Sequence, residues 1–312
     1  MSLQSMKYLA VILVLFTLFS PYAPASEPGE VIFARAFADD AYGYYHAQIL
    51  QRALELTPEF GIANAVPHPQ PMPQARQIIK LKSGEADVMW SATSDIRERQ
   101  LLPVRFPLLQ GLAGYRVLVI NAYKQAQFPE SLNKEAIQSL VGVQGKDWPD
   151  LAVLQHNGFK VEGAQWSLWF HTMFTAIEKG MVDYFPRNVI EVTNDLERHK
   201  TKRIKLEDNF ILRYPSYEYF FVSPHKPDLV NRIQIGLLRM LDNGELKTMF
   251  EKHENHRKAM KLATDPNRKV FDLANPELSY HFDDPLWVSN PSYMRAELEK
   301  VIQYNAQTAS KK

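Results

Sequence analysis

The sequence LKSGEADVMWSATSDIRERQLLPVRFPLL, residues 81–109, carries the clearest signals of the fold class. It begins as the end of a helix predicted over residues 74–82, which Ser83 and Gly84 terminate because glycine takes a helix C-cap at least cost. The apolar run 86–90 that follows is typical of a buried parallel strand. Polar residues come directly after this strand, and open α/β sheets bind ligands at the carboxyl ends of their strands. The stretch therefore predicts an α/β sheet with a small-molecule site.

The polar residues after this strand form the first predicted binding group. Trp90 is the last residue of the strand, and Thr93, Ser94 and Arg97 lie just past its carboxyl end. A guanidinium is planar and can hold a carboxylate or phosphate by two parallel hydrogen bonds. We predict that Arg97 is the principal contact and that the hydroxyls assist it.

A second group lies where the first strand meets the first helix. Asp40 is the predicted N-cap of a helix over residues 41–56. Tyr42 and Tyr44 lie in its first turn, where an aromatic ring can stack on a ligand, with packing against neighbouring loops as the alternative. Asp39 and Asp40 are poorly suited to a general acid/base pair, because adjacent residues in a strand point in opposite directions.

A third group lies in the second half of the chain. Residues 145–150 read Gly-Lys-Asp-Trp-Pro-Asp between a strand and a helix. We predict that Asp147 caps this helix and that Asp150 is at its N3 position. A strand that leads into a helix N-terminus can bind an anion, so we include Asp147 and Trp148 in the predicted site.

Arg187 completes the candidates. It follows a strand predicted over residues 181–185, so it also lies at a carboxyl end. Glu191 is one helical turn further on, which allows an ion pair with Arg187.

Composition limits the classes of protein. The chain has 312 residues, of which 46% are apolar, enough for two domains with proper cores. It has no cysteine, which excludes disulfides, thiolate metal sites and a cysteine nucleophile. No Gly-x-Ser-x-Gly sequence or phosphate loop is present, and of the nine histidines only His253 and His256 have helical spacing. We therefore expect neither a cofactor nor a catalytic site.

The N-terminus reads as a secretory signal. Lys7 precedes a short apolar run that ends at Ser20-Pro21, and Ala23-Pro24-Ala25 provides small residues around a cleavage site. An uncleaved anchor is the alternative. Loss of residues 1–25 removes only Lys7 from 36 Lys+Arg, leaving 35 basic against 35 acidic residues. A neutral exported chain without a lipid-bearing cysteine predicts a periplasmic monomer that does not bind nucleic acid.

Periodicity and turn residues predict alternating strands and helices along most of the chain. Strands are predicted over residues 31–38, 62–66, 86–90, 114–120, 141–144, 181–185 and 218–223. Helices are predicted over residues 41–56, 74–82, 132–140, 147–155, 166–180, 188–199, 227–241, 245–256 and 292–307. The Pro/Asn-rich stretch 264–291 reads as a loop.

Several of these pieces occur in an order that resembles a known family, the type 2 periplasmic solute-binding proteins of ABC importers, in the amino-acid-binding (family 3) branch. The matching pieces are the strand ending at Asp39-Asp40, Leu81-x-x-Gly84-x-x-Asp87, Ser94-x-x-Arg97-Glu98, Pro107, Val143-Gln144-Gly145, Lys179-Gly-x-x-Asp183 and Leu241-x-x-Gly244-x-Leu246. The resemblance covers roughly residues 30–255 and leaves 256–312 as an extension.

The resemblance implies two α/β lobes, each with a doubly wound sheet, joined by a two-strand hinge. Residues 26–114 and 215–312 would form lobe 1, and residues 115–214 lobe 2. The ligand would lie between the lobes and stabilise their closed arrangement, which then docks on a membrane permease. In that family a hydroxyl and an arginine hold the ligand's α-carboxylate, a role that falls here to Ser94 or Thr93 and to Arg97.

Two departures from the family concern the ligand. Gly145-Lys146-Asp147-Trp148 stands where the family has Gly-Thr, and Arg187 stands near the family's acid for the ligand ammonium. Two facing arginines would favour an anion unless Asp39, Asp40 or Asp147 supplies the negative group. The alternatives to an importer component are a sensor that signals to a membrane partner and, third, a dehydratase-type enzyme on the same fold.

Overall fold

A computed structural model describes residues 28–36, 43–165, 169–199, 201, 203–281 and 296 of the chain. Four predicted features therefore lie outside the described residues: the signal segment 1–25, Asp40, Tyr42 and the helix predicted over 292–307, of which only position 296 is described. No helix in the described ranges is long and apolar enough to cross a membrane.

The described chain alternates strands and helices, as the sequence predicts. The strands are β1 Gly29–Phe33, β2 Ala63–Pro67, β3 Val88–Ala92, β4 Leu102–Val104, β5 Tyr115–Asn121, β6 Val141–Gly145, β7 Lys160–Ala164, β8 Tyr184–Asn188, β9 Ile204–Leu206, β10 Phe210–Arg213, β11 Glu218–Val222 and β12 Lys269–Asp272. The helices are α1 Tyr44–Glu55, α2 Gln74–Ser83, α3 Asp95–Gln100, α4 Lys134–Ser139, α5 Pro149–His156, α6 Trp169–Glu178, α7 Val192–His199, α8 Pro227–Asp242, α9 Glu245–Lys252 and α10 Glu254–Ala263.

The strands form two separate sheets, which define two lobes. The sheet of lobe 1 has the order β2-β1-β3-β11-β4, with parallel pairing among the first three strands and antiparallel pairing of β11. The sheet of lobe 2 has the order β12-β10-β5-β8-β6-β7, with β9 paired to β5. The predicted two-sheet α/β architecture is confirmed.

The helix α2 illustrates how the sequence sets the start of β3. Gly84 has φ 76°, in the left-handed region, and its N–H donates to the Leu81 carbonyl at 3.2 Å, as expected of a glycine C-cap. After this turn Asp87 accepts a hydrogen bond from the Ile32 N–H at 2.8 Å, which ties the start of β3 to β1. The polar residues beyond β3 are thereby held at the carboxyl edge of the first sheet.

Two segments connect the lobes where the resemblance implies a hinge. One runs from β4 to β5 and the other from β10 to β11. They touch at Gly114, whose carbonyl accepts a hydrogen bond from the Tyr214 N–H at 3.1 Å, and a side chain at Gly114 would collide with the Tyr214 carbonyl oxygen. The close approach of the two segments requires glycine at this position.

The segment after α10 differs from the prediction. Residues 264–291, predicted as a loop, contain β12, which pairs in parallel with β10 of lobe 2. The prediction that residues 256–312 all belong to lobe 1 therefore does not hold for β12, which belongs to the sheet of lobe 2. The four residues of β12 follow a turn at Asp265–Arg268 and are too few for a periodicity signal, so the pairing partner rather than the local sequence defines the strand.

Three further boundaries differ from the prediction. The strand predicted over 181–185 is observed as β8, which begins three residues later, at Tyr184. The reason is that residues 181–183 form the bend after α6. The helix predicted over 245–256 is interrupted at His253, which has extended backbone and separates α9 from α10. The first described helix has Gly43 at its N-cap position, where the prediction had Asp40.

Candidate functional site

The two lobes enclose a cavity of about 520 Å³ at the facing edges of their sheets. Aromatic, acidic, basic and amide side chains from both lobes line it. The lining includes Tyr44, His46, Trp90 and Glu218 from lobe 1, Arg116, Trp148, Asp150, Arg187 and Glu191 from lobe 2, and His253, Asn255 and His256 from the segment after α9. A cavity of this size fits a small molecule.

The wall in lobe 1 consists of a stacked ring pair beside a carboxylate. The His46 ring lies parallel to the Trp90 ring, with centroids 5.1 Å apart and 6° between planes. His46 Nε2 lies 2.5 Å from Glu218 Oε1. A Cβ atom at Gly43 would come within 2.7 Å of the Trp90 ring, so glycine at this position allows α1 to approach the tryptophan.

The wall in lobe 2 consists of a tryptophan beside an arginine that is shared by two acids. The Trp148 ring covers Gly145, where a Cβ atom would come within 2.5 Å of it. The Arg187 guanidinium lies 5.2 Å from the Trp148 ring centroid. Its Nε donates to Asp195 Oδ2 at 2.6 Å and its Nη2 lies 2.8 Å from Glu191 Oε2. The positive charge of Arg187 is therefore balanced within the protein.

A buried ion pair lies between this wall and the hinge. Arg116 Nε donates to Asp150 Oδ1 at 2.7 Å, and the Tyr214 hydroxyl donates to the same carboxylate. Burial alone would raise the pKa of Asp150, but Arg116 and the Tyr214 hydrogen bond outweigh it and hold the pKa below its usual value. Burial likewise disfavours the charged form of Arg116, yet Asp150 keeps the pKa of the guanidinium raised.

Two carboxylates open onto the cavity from opposite lobes. Glu191 belongs to lobe 2 and has 42% of its side-chain surface accessible, whereas Glu218 belongs to lobe 1. The surrounding protein partly removes the Glu191 carboxylate from water and raises its pKa, Arg187 opposes this, and the negative charges of Asp195 and Glu218 raise the pKa further. The described charged groups in and just behind the walls are three guanidiniums (Arg97, Arg116, Arg187) and four carboxylates (Asp150, Glu191, Asp195, Glu218).

Arg97 lies one layer behind the lobe 1 wall. It is 6% exposed, and its Nη1 donates to the Ser91 hydroxyl and the Ala92 carbonyl, both at 2.5 Å. Its Nη2 reaches Gln74 Oε1 at 3.4 Å. These three partners line the cavity, and Arg97 itself does not. Burial lowers the pKa of Arg97 to about 10, although Asp150 and Glu218 oppose the shift.

The other predicted site residues fall into three groups. Trp90, Trp148, Tyr44 and Arg187 line the cavity, with Tyr44 half exposed. Thr93, Ser94 and Asp147 do not line it: the Thr93 hydroxyl donates to Glu98 at 2.7 Å, the Ser94 hydroxyl caps α3, and Asp147 is exposed. Asp40 and Tyr42 lie outside the described residues. The predicted cap at Asp147 is wrong, because Trp148 occupies the N-cap position of α5.

The sequence did not single out several lining residues. His46 and Glu218 are isolated in sequence and meet only because β11 and α1 face the same end of the sheet. Arg116 lies within an apolar strand, and its partner Asp150 lies in the first turn of α5. A charged residue within an otherwise apolar strand was the one available signal, since such a residue is seldom buried without a partner.

Comparison with solved structures agrees with the architecture. An ancestral arginine-binding protein bound to arginine superposes with a TM-score of 0.54 at 16% identity, covering 73% of this chain and 98% of that one. A Streptococcus mutans structure, described under glutathione import via GshT and the cystine ABC importer TcyBC, has a TM-score of 0.55 at 15% identity, with 72% and 94% covered. A histidine kinase sensor domain with similarity to periplasmic binding proteins has a TM-score of 0.52 at 13% identity, with 73% and 96% covered.

The chain thus has the fold of the type 2 periplasmic binding proteins, two α/β lobes around a central cleft. The predicted resemblance is confirmed at the level of the fold. No protein-family model and no curated protein sequence matches the chain. Function must therefore be argued from the cavity.

Proposed function

We propose that this protein is an exported solute-binding protein that holds a small molecule, carrying both a carboxylate and a cationic group, between its two lobes. A basic amino acid has this chemistry. The observation that carries the proposal is the cavity, to which Glu218 and Glu191 contribute carboxylates from opposite lobes. A cation between them would relieve their mutual repulsion and favour the closed arrangement.

The balance of charges supports a cationic group. Arg187 is paired with Asp195 and Glu191, and Arg116 with Asp150, so neither is an open anion site in this structure. The expectation of two facing arginines that favour an anion is therefore not supported by the pairing of Arg187. The ligand of the ancestral arginine-binding protein, whose fold this chain shares, is consistent with a basic amino acid here.

Arg97 is proposed as the group for the ligand's carboxylate. Its guanidinium reaches the lining residues Ser91 and Gln74, and among the described residues its Nε has no hydrogen-bond partner. We expect the Gln74 side chain to move aside on ligand binding and so expose the guanidinium to the cavity. Thr93 and Ser94 would then support Arg97 by fixing α3 rather than by touching the ligand.

Calorimetry tests this function. L-Arginine should bind the mature chain one to one and more tightly than L-glutamine, L-glutamate or succinate. Glu218→Gln and Glu191→Gln should each weaken the binding about tenfold, because each removes a charged partner. Glu162→Gln, at an exposed position of β7, is the control and should leave affinity unchanged. Binding of succinate in preference to arginine would overturn the proposed ligand.

The tryptophans provide a second readout. Because Trp90 and Trp148 line the cavity, ligand addition should change the protein's fluorescence. The change should shrink in Trp90→Phe and in Trp148→Phe. An unchanged spectrum in a sample shown to bind by calorimetry would place the ligand elsewhere.

Delivery to an ABC importer is the proposed cellular role, and sensing is the second candidate because one structure of the same fold is a histidine kinase sensor domain. Deletion of the gene should abolish high-affinity uptake of labelled L-arginine under the first role. Under the second, uptake should persist and the transcriptional response to the ligand should be lost. Chemical change of the ligand during prolonged incubation would favour the dehydratase-type alternative.

Export has its own test. Cleavage after Ala25 should leave Ser26 as the first residue of protein recovered from the periplasm. Protein that remains membrane-bound with its first residues intact would indicate the uncleaved anchor.

A further inference from the structure

We propose that α10, the helix that follows α9, is a third wall of the binding cavity, and that His253 and Asn255 contact the bound molecule. This inference rests on the proposed function, because it adds contacts to the same site. It goes beyond the two-lobe architecture, since these contacts come from a segment that belongs neither to the wall in lobe 1 nor to the wall in lobe 2.

The helix α10 spans the two lobes. At its start, the His253 ring packs edge-on against Tyr45 of lobe 1, with centroids 5.2 Å apart. Further along, Lys258 Nζ lies 3.5 Å from Glu197 of α7 in lobe 2. The helix also contacts α7 and the turn 112–114 at the hinge. It therefore lies beside the cleft rather than on the outer surface of one lobe.

The chain after α10 fixes the helix in this place. It first joins the sheet of lobe 2 as β12, and the Ala274 backbone exchanges two hydrogen bonds with the Asn157 side chain at 2.7 and 3.0 Å. It then returns to lobe 1, where the Asp95 N–H donates to the Glu277 carbonyl at 2.8 Å. The Tyr280 hydroxyl donates to Glu98 Oε1 at 2.7 Å. Because the chain after α10 is anchored first to lobe 2 and then to lobe 1, the helix is held beside the cavity.

Three side chains of this turn line the cavity, and they differ in their partners. His256 is buried, packs against Tyr45 and Phe250, and has Nδ1 3.1 Å from the Phe250 carbonyl. Burial, together with His253 and His46, lowers the pKa of His256 to about 3, so this ring is neutral and structural. No hydrogen bond within the described ranges uses the side chains of His253 or Asn255, which are half-buried.

The two unpaired side chains have a defined chemistry. Burial, His46 and Arg257 lower the pKa of His253, so at neutral pH its ring is uncharged, with one nitrogen that donates and one that accepts. The Asn255 amide also donates and accepts. Polar groups at a closed cavity lose hydrogen bonds to water and need a replacement. Neutral donors and acceptors in the lining of the cavity suit the polar, uncharged part of a ligand whose cation lies at the carboxylates.

The position of this wall can be tested without any ligand. The natural chain has no cysteine, so Asn255→Cys and, as control, Lys261→Cys at an exposed position of the same helix each carry a single thiol. If Asn255 faces the cavity, a bulky maleimide should modify position 255 about tenfold more slowly than position 261, since thiol reactivity follows access. A small methanethiosulfonate should modify both at similar rates. Equal rates with the bulky reagent would overturn the proposed wall.

The contacts can be tested with L-arginine as the probe. His253→Ala and Asn255→Ala should each weaken its binding about tenfold, whereas Lys261→Ala should not change it. Unchanged melting temperatures would show that the variants are folded. Unaltered affinity in both variants would overturn the contacts. If the unmodified chain does not bind L-arginine, the proposed ligand fails, and the thiol measurements alone decide whether α10 forms the wall.

Discussion

At the scale of single residues, the cavity shows that a buried charge depends on its partners. Arg187 and Arg116 are both held by carboxylates, and Arg97 has only hydroxyl, amide and carbonyl partners among the described residues. Burial of a guanidinium without a carboxylate disfavours its charged form, which is why the pKa of Arg97 falls to about 10. A residue kept in this unfavourable state is a candidate for function.

Replacing Arg97 should separate binding from stability. Below pH 10 the charged guanidinium opposes folding, because its pKa is lower in the folded than in the unfolded chain. Arg97→Met should therefore leave the free energy of unfolding within about 1 kcal/mol of the unmodified chain, while L-arginine binding weakens at least about tenfold. Urea unfolding and calorimetry measure the two effects. Full binding by the folded variant would assign Arg97 a structural role.

Replacing Asp150 should have the opposite outcome. Asp150→Asn leaves Arg116 buried without its counter-charge and should cost about 3–5 kcal/mol in urea unfolding at pH 7. Asp147→Asn, three residues earlier and exposed, should change stability by no more than about 0.5 kcal/mol.

The pH dependence of this effect has a definite sign. The pKa of Asp150 is lower in the folded chain, so its stabilisation is complete above its unfolded pKa of about 3.9 and is lost as the pH falls through the folded value. The difference between the unmodified chain and Asp150→Asn should therefore shrink below pH ~4. A difference independent of pH would contradict the ion pair.

At the scale of elements, short-range signals predicted more than long-range ones. Gly84 ends α2 as predicted, because a C-cap depends on the local backbone alone. β12 and the pairing of His46 with Glu218 could not be predicted, because each depends on a partner far away in sequence. Trp90 and Trp148 lie next to strand ends, and this local feature alone predicts that both belong to the site. The local sequence also predicts Asp150 in the first turn of a helix, but its pairing with Arg116 depends on a residue far away in sequence.

The helix α3 allows a test of the role of Ser94. Its hydroxyl accepts a hydrogen bond from the Arg97 N–H at 3.2 Å, so Ser94→Ala should cost about 1 kcal/mol of unfolding free energy. Ser94→Asp keeps an N-cap acceptor and should restore this stability. Binding of L-arginine by both variants, once folded, would show that Ser94 acts through the helix. Loss of binding in the stable Ser94→Asp variant would favour direct contact with the ligand.

At the scale of the whole molecule, the two lobes are joined by more than the hinge. The segments 105–114 and 214–217 connect the sheets, and the chain from α10 to residue 281 passes to lobe 2 and back. Additional connections restrict how far the lobes can separate. We therefore expect ligand binding to shift an arrangement that is already close to closed.

Spin labels can measure this movement. Ile79 on lobe 1 and Met181 on lobe 2 are exposed, and the chain has no natural cysteine. Ile79→Cys and Met181→Cys therefore provide one labelling site on each lobe. L-Arginine should narrow the distribution of distances between the labels and shift its mean by about 2 Å or more. The doubly labelled chain with Glu218→Gln should need more ligand for the same shift. A distribution that does not respond in a chain with proven binding would contradict closure.

The late position of β12 in the sequence also affects how the chain can acquire its structure during synthesis. Until residues 269–272 leave the ribosome, β10 has one unpaired edge, and until residues 275–280 follow, Asp95 and Glu98 lack partners that they have in the finished protein. Neither lobe therefore has all of its contacts until nearly the last described residues have been synthesised. We therefore expect the nascent chain to lack these last contacts of both sheets until most of it has been synthesised.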